Sequence, residues 1–155
     1  MADIKKKIAR AFEESWGSGD LNALDEVYAP NYVAHSAEGD NTYNIEAEKA
    51  FIADTRSSFS NSEMKTTHAY QDGDTVIIRW VWTGKHTGES KFMPMAPTNK
   101  DVELRGCTFC RIENGKVAEA WGYSNDVYFY KQLGIMPENV FAEADTDRTP
   151  RGENL

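Results

Sequence analysis

The run Thr75–His86 constrains this chain more than any other stretch. Val76, Ile78, Trp80, Trp82, Gly84 and His86 share one parity; Thr75, Ile77, Arg79, Val81, Thr83 and Lys85 share the other. Successive side chains on a strand point to opposite faces, so the first set makes an aromatic, apolar face ending in a histidine. The second face is mixed, with Arg79 in its middle. One dry and one half-wet face is the signature of an antiparallel sheet. Asp72-Gly73 precedes the run and Asn114-Gly115 follows the next strand candidate. Either dipeptide readily takes the positive φ at both central positions of a type I′ hairpin turn. The spacing therefore predicts that 63–71 pairs with 74–87 and that 101–113 pairs with 116–124.

Upstream, Ile4, Ile8, Ala11, Phe12 and Trp16 fall on one helix face, closed by Gly17-Ser18-Gly19. Asp20 is placed to cap a second short helix that buries Leu21, Leu24, Val27 and Tyr28 and stops at Pro30. Tyr32–His35 reads as a short strand and 36–43 as turns. Asn44 can cap a third helix, with Glu46 and Glu48 favourable in its first turn and Phe51, Thr55 and Phe59 on one face beside Ile52; Ser60-Asn61-Ser62 closes it. Residues 87–100, with Met93-Pro94-Met95-Ala96-Pro97, read as an irregular apolar loop, because prolines forbid a central strand there. Asp126–Leu133 reads as a final helix ended by Gly134.

Helices gathered ahead of a run of strands indicate an α+β fold: a curved antiparallel sheet wrapped around N-terminal helices, cone-shaped, with an open apolar pocket. Residues 1–141 are expected to form one domain. Residues 142–155 read as a loose polar tail, whose end, Gly152-Glu153-Asn154-Leu155, fits the stump of a protease-site tag.

Net charge is −8, with no long run of Lys and Arg, which argues against a nucleic-acid partner. No stretch approaches the ~20 apolar residues that span a bilayer, and no secretory signal is visible, so a cytoplasmic protein is the expectation. Cys107 and Cys110 are spaced C-x-x-C but lie inside a strand pattern, where i and i+3 point apart; buried free thiols account for them better than a redox pair or zinc. Three scattered histidines suggest no metal site, and no phosphate loop or nucleophile elbow is present.

The candidate catalytic residues are Asp126, His86 and His35. Trp80, Trp82, Trp121 and Tyr123 are expected to wall the substrate site, together with Phe109, Trp16 and Tyr32. Met93 and Met95 suit a lid or rim, since methionine adapts to varied apolar partners; the plainer reading is a loop packed on its own core or on a dimer partner. His86 has a plain reading as a surface strand-end residue, His35 as a structural histidine, and Asp126 as the cap of the last helix. His68 reads as an exposed edge residue. In the functional reading, an aspartate flanked by Trp and Tyr loses hydration, its charged form is disfavoured, and it can take a proton from carbon next to a carbonyl. A neighbouring histidine then supplies a hydrogen bond or proton to the enolate oxygen.

Thr83-Gly84-Lys85-His86-Thr87-Gly88, Ala96-Pro97-Thr98-Asn99-Lys100, the segment from Asn114 to Trp121, Asp126 and Gln132-Leu133-Gly134, with Trp16, Gly19-Asp20 and Tyr32-Val33-Ala34-His35 before them, together resemble the SnoaL-like polyketide cyclases, also called ester cyclases. The resemblance covers roughly residues 5–134; the ordered set carries it, not any single motif. It implies the cone fold of the nuclear transport factor two superfamily. It also implies ring closure of a small, apolar or aromatic-polyketide-like ester by intramolecular aldol condensation, without cofactor. Asp126 matches the general base, and the two histidines match pocket positions. A homodimer paired through its sheets is expected. Two departures stand out: Asn99, where the family favours glycine, and the polar pair Ser124-Asn125 ahead of Asp126, which can leave the base more solvated. The alternatives are a non-catalytic module for small apolar ligands, or an isomerase, dehydratase or epoxide-opening enzyme in the same cone; Arg105 or Arg111 could serve the last.

Overall fold

The computed structural model describes residues 3–136 apart from 38 and 40. The expected tail, 142–155, lies outside the described residues. Helix α1 (Ile4–Phe12) runs into a π-helical turn (Glu13–Ser18), then α2 (Asn22–Val27), strands β1 (Tyr28–His35) and β2 (Thr42–Tyr43), α3 (Ile45–Ser58), β3 (Phe59–Asp72), β4 (Thr75–His86), β5 (Asp101–Glu113), β6 (Lys116–Ser124) and α4 (Asp126–Leu133). The strands form one curved, unclosed sheet in the order β2-β1-β6-β5-β4-β3. It is mixed rather than antiparallel throughout, because β1 runs parallel to β6.

Both expected hairpins form. At Asn114-Gly115 the two central residues have φ 51° and 74°, as a type I′ turn requires. The first turn is shifted by one residue. Asp72 pairs with Thr75, so the centre is Gly73-Asp74, and only Gly73 has positive φ, the type II′ pattern.

Several local expectations change. β1 begins at Tyr28 and contains Pro30; the β1–β6 register breaks between Tyr28 and Val33, where the ladder needs no proline N–H. Ser60-Asn61-Ser62 belongs to β3, where Asn61 has φ 53° beside a register shift, a bulge rather than a helix stop. In α3 the buried face carries Ile52, whereas Phe51 is 42% exposed. One residue of helix is a rotation of about 100°, so choosing the neighbouring residue chooses the wrong face. Asn44 caps α3 as read, its Oδ1 accepting from Ala47 N at 2.9 Å, and Gly19 and Gly134 end their helices with positive φ; α2 instead has Leu21 at its N-cap, with Asp20 Oδ1 accepting from Asn22 N at 3.1 Å just ahead of it.

The core lies between the helices and one face of the sheet. Ile8, Phe12, Leu24 and Ile52 from the helices meet Val76, Ile78, Cys110 and Ala120 from the sheet. Each fully buried aliphatic side chain contributes about 1.5–3 kcal/mol. Helix α4 takes over where β6 ends. The Gln132 side chain accepts from Glu103 N at 2.8 Å and donates to Glu103 O at 2.7 Å, satisfying both main-chain groups on the edge of β5 that β6 no longer covers.

Candidate functional site

The cross-strand register sorts the expected site residues onto two faces. Rows across β4, β5 and β6 run Val76–Cys110–Ala120, Ile78–Thr108–Gly122 and Trp80–Gly106–Ser124, with Trp82 beside Leu104. These side chains share the face covered by helices, the inner face. The row Ile77–Phe109–Trp121–His35 crosses β4, β5, β6 and β1 on the other face. Trp80, Trp82, His86 and Tyr32 are therefore inner; His35, Trp121, Tyr123 and Phe109 are outer.

At the α4 end of the inner face, His86 is 0% and Trp82 3% exposed. Phe59 stacks on His86 at 4.9 Å and meets Trp82 edge-on at 5.2 Å, and Phe129 of α4 covers Trp82 at 6.3 Å. Gly84 makes room for this arrangement: a Cβ there would lie 2.8 Å from the Trp82 ring. Thr98 N donates to His86 Nδ1 at 3.1 Å. With Nδ1 accepting, the neutral ring carries its proton on Nε2. Burial holds the imidazole below the usual histidine range, opposed in part by the Gly88 main chain, so the neutral ring is favoured. His86 Nε2 and Trp82 Nε1 are both enclosed and have no hydrogen-bond partner. A buried donor without a partner costs about 1–3 kcal/mol. The plain surface reading of His86 is thus excluded by its position.

Further along the same face, the sheet floor is bare. Trp80 lies over Gly106, where a Cβ would come within 2.6 Å of its ring, and its Nε1 donates to Thr108 Oγ1 at 3.0 Å. Next to it, Gly122 is exposed, and a Cβ there would meet nothing within 4 Å. The inner face is therefore not a single apolar bowl. It is packed with its own aromatic rings at the Trp82 end and open over Gly122. A separate hollow of about 290 Å³, lined by Asn61, Thr83, Gly84, Asp101, Val102, Glu103 and Gln132, has a mixed polar and apolar lining.

Asp126 stands at the outer end of the bare floor. It is exposed, and its Oδ1 accepts from Ser124 Oγ at 2.6 Å. The cap of α4 is Asn125, whose Oδ1 accepts from Tyr128 N at 3.2 Å; the capping reading of Asp126 passes to its neighbour. The polar pair Ser124-Asn125 thus acts on the local hydrogen bonds as its chemistry suggests, and the desolvation expected for Asp126 is absent. Asp126 precedes Phe129 by one helical turn, so both lie on the same side of α4.

The remaining candidates are scattered. His35 stacks on Trp121 at 4.8 Å and its Nε2 lies 3.1 Å from Glu119, which also binds Arg111. Phe109 meets Tyr123 edge-on at 6.0 Å on the same outer face. Arg105 pairs with Glu103 and Arg111 with Glu113 and Glu119; neither faces the inner site. Trp16, in the π-helical turn, packs edge-on against Phe51 at 5.8 Å. Met93 packs half-buried against the core, and Met95 is half-buried in the same loop. That loop is tied to α3 through Asp54, which accepts from Ser90 Oγ at 2.6 Å and Lys91 N at 3.0 Å. Asn99 takes φ 57°, the conformation in which Asn best replaces glycine. Cys107 and Cys110 are free thiols on opposite faces. His68 is exposed.

Sequence reasoning missed Phe59, Phe129 and Thr98, and it read Glu48 only as a first-turn charge. Glu48 precedes Ile52 by four residues and so shares the buried face of α3, a signal available once Ile52 rather than Phe51 is taken as the inward residue. Among the described residues no group of three His, Cys, Asp or Glu is placed to hold a metal ion, and no helix is long and apolar enough to cross a membrane.

A model of the family described as SnoaL-like polyketide cyclase matches residues 6–133. The chain belongs to that family. Among solved structures, IdmH from Streptomyces antibioticus, described as a proposed polyketide cyclase, is 28% identical, with a TM-score of 0.72 over 86% of this chain and 99% of its own. AclR from Streptomyces galilaeus, described as a proposed hydroxylase, is 24% identical, with a TM-score of 0.73 over 87% of this chain and 100% of its own. TsrD from Streptomyces laurentii is 20% identical, with a TM-score of 0.75 over 88% and 100%. The latter two show the shared fold. A search of curated proteins gives no match. The two unpartnered donors lie on the inner face at the end packed with aromatic rings, and the open floor over Gly122 lies further along the same face.

Proposed function

We propose that this SnoaL-like protein is a cofactor-independent acid/base enzyme that removes a proton next to a carbonyl and closes a ring of a small polyketide-like ester by intramolecular aldol condensation. The observation that carries this reading is the pair of enclosed, unpartnered donors, His86 Nε2 and Trp82 Nε1, four residues apart on one face. Donors fixed in a dry site stabilise an enolate oxygen as it forms and need no reorganisation to do so. Asp126, on the side of α4 that carries Phe129, is the base. A ligand seated over Gly122 would displace water from its carboxylate and strengthen it.

The test is solvent-deuterium incorporation at the carbon between the carbonyls of an aryl β-keto ester that carries a second ketone. Asp126→Asn is expected to slow exchange by about 10²–10⁴; a rate within about threefold of the parent rejects Asp126 as base. One observation favours a second reading. The exposure of Asp126 suits a module that binds apolar ligands without turning them over. That reading predicts ligand binding with no exchange above background.

The outer face suits a second copy of the chain. The apolar row Ile77–Phe109–Trp121 is bordered by cations and anions, Arg79, Arg105, Arg111, Glu103 and Glu119, a pattern complementary to itself under a two-fold axis. A homodimer by analytical ultracentrifugation, converted to monomer by Trp121→Glu, is the expected result.

A further inference from the structure

The floor beside Asp126 holds a hydroxyl that the reading above leaves unused. Gly106 and Thr108 of β5 pair with Ser124 and Gly122 of β6. All four share the parity of the inner face, so they mark the corners of a square, with the glycines on one diagonal and the hydroxyl residues on the other. The two glycine corners differ. The Trp80 ring fills the corner at Gly106, where it lies 2.6 Å from the place of a Cβ, whereas nothing lies within 4 Å of a Cβ on Gly122. The open corner therefore has Thr108 directly across from it and Ser124 two residues along its own strand. Ser124 Oγ holds the Asp126 carboxylate at 2.6 Å.

The direction of the Thr108 proton follows from its neighbour. Trp80 Nε1 donates to Thr108 Oγ1 at 3.0 Å. An indole nitrogen donates and never accepts, so Thr108 Oγ1 is the acceptor in this bond and its own proton points elsewhere. Among the described residues no side-chain or main-chain oxygen takes that proton. A hydroxyl that accepts from one donor is polarised by it and donates more strongly in turn. Gly106 keeps the indole in place, since a side chain there would push the ring off Thr108. Thr108 is half-buried and Gly122 exposed, so the hydroxyl borders the open floor. Diagonal neighbours on antiparallel strands, here Thr108 and Ser124, stand about 7–8 Å apart. That separation matches a carbonyl and its neighbouring carbon with one hydrogen bond to the donor and one to the base.

We propose that the Thr108 hydroxyl is a catalytic hydrogen-bond donor to one of the two carbonyl oxygens that flank the acidic carbon, with Trp80 as the positioning residue that turns its proton towards Gly122. The inference rests on the reading above for Asp126 as the base. As Asp126 takes the proton from carbon, the C–H electron pair moves into the enolate and negative charge reaches that oxygen. The Thr108 O–H bond stays intact, and its hydrogen bond strengthens as the acceptor becomes charged. Asp126 then loses its proton to solvent, so no other reactant is consumed.

Deuterium exchange into the same keto ester tests it. Thr108→Val keeps the shape of the side chain without the hydroxyl, and Thr108→Ser keeps the hydroxyl. Exchange is expected to slow by about 10²–10³ in Thr108→Val and to stay within about tenfold of the parent in Thr108→Ser. A Thr108→Val rate within about threefold of the parent, or Thr108→Ser as slow as Thr108→Val, overturns the proposal; the second outcome is that of a side chain needed for its shape. Infrared spectra of the keto ester, isotope-labelled at one carbonyl at a time and bound to Asp126→Asn, give an arm that needs no turnover. One carbonyl band is expected at lower frequency in Asp126→Asn than after Thr108→Val is added to it. The same band positions in both overturn the proposal whatever the rates. Exchange by Asp126→Asn at the parent rate would overturn the base alone and leave the carbonyl band to decide the donor, so the two readings fail separately.

Discussion

The two faces of the sheet are made from alternate residues of the same strands, yet they meet different partners. The inner face presents Val76, Ile78, Cys110 and Ala120 to three helices and is buried. The outer face presents Ile77, Phe109, Trp121 and His35 in one row and carries no helix. Composition does not separate them, since both are rich in aromatic and branched residues. Coverage does. Buried N–H groups go unpaired on the inner face, where water is excluded, while on the outer face every charge has a counter-charge or solvent. An aromatic residue near a candidate base in sequence is therefore no guide to its place in the site: Trp121 and Asp126 are five residues apart, with Trp121 on the face away from the helices.

The sharpest way to break this contrast uses adjacent isoleucines. Ile78 is fully buried and Ile77 half-exposed. Ile78→Ala is expected to cost about 2–5 kcal/mol, and Ile77→Ala under about 1 kcal/mol, in urea unfolding at concentrations where the chain is monomeric. Equal losses would mean that the outer face is covered within the single chain. Two inner glycines give a smaller effect. A Cβ on Gly106 would meet Tyr123 O at 2.4 Å, whereas one on Gly122 meets nothing. Gly106→Ala should therefore cost about 1–3 kcal/mol and Gly122→Ala within about 0.5 kcal/mol, while Gly122→Ala still weakens binding of the keto ester.

The smallest effect is in pH. The folded state holds Glu48 above its unfolded value, so the folded chain binds more protons. Its contribution is complete below the unfolded carboxyl pKa and is lost as pH rises through the folded one. His86 is depressed, so its contribution is present above the unfolded histidine pKa and falls away as pH drops towards the folded one. As pH rises from the unfolded carboxyl pKa, melting temperature should fall less for Glu48→Gln than for the parent; parallel curves would contradict a buried neutral Glu48.

Much of the architecture was legible because strand alternation and turn chemistry are local. The parity of β4, the strands of both hairpins, the Asn44 cap of α3, the Gly134 stop of α4 and the opposite facing of Cys107 and Cys110 follow from residues within a few positions of each other. The site was less legible because faces are set by register over long separations. The break between Tyr28 and Val33 decides which way His35 points, and nothing in the residues around His35 encodes it. The Gly73-Asp74 turn differs from the expected one by a single position, since Gly suits either turn type. Glu48 escaped notice because an acid in a first helical turn already has a sufficient explanation in the helix dipole.

The Gln132 amide has a consequence beyond holding α4. By answering both main-chain groups of Glu103, it acts as a one-residue substitute for a strand and closes an edge on which another polypeptide could grow an intermolecular ladder. Lifting α4 to admit a ligand would reopen that edge to self-association. Entry to the Trp82 and His86 donors by rotation of the Phe129 ring alone avoids that hazard and leaves the helix in place.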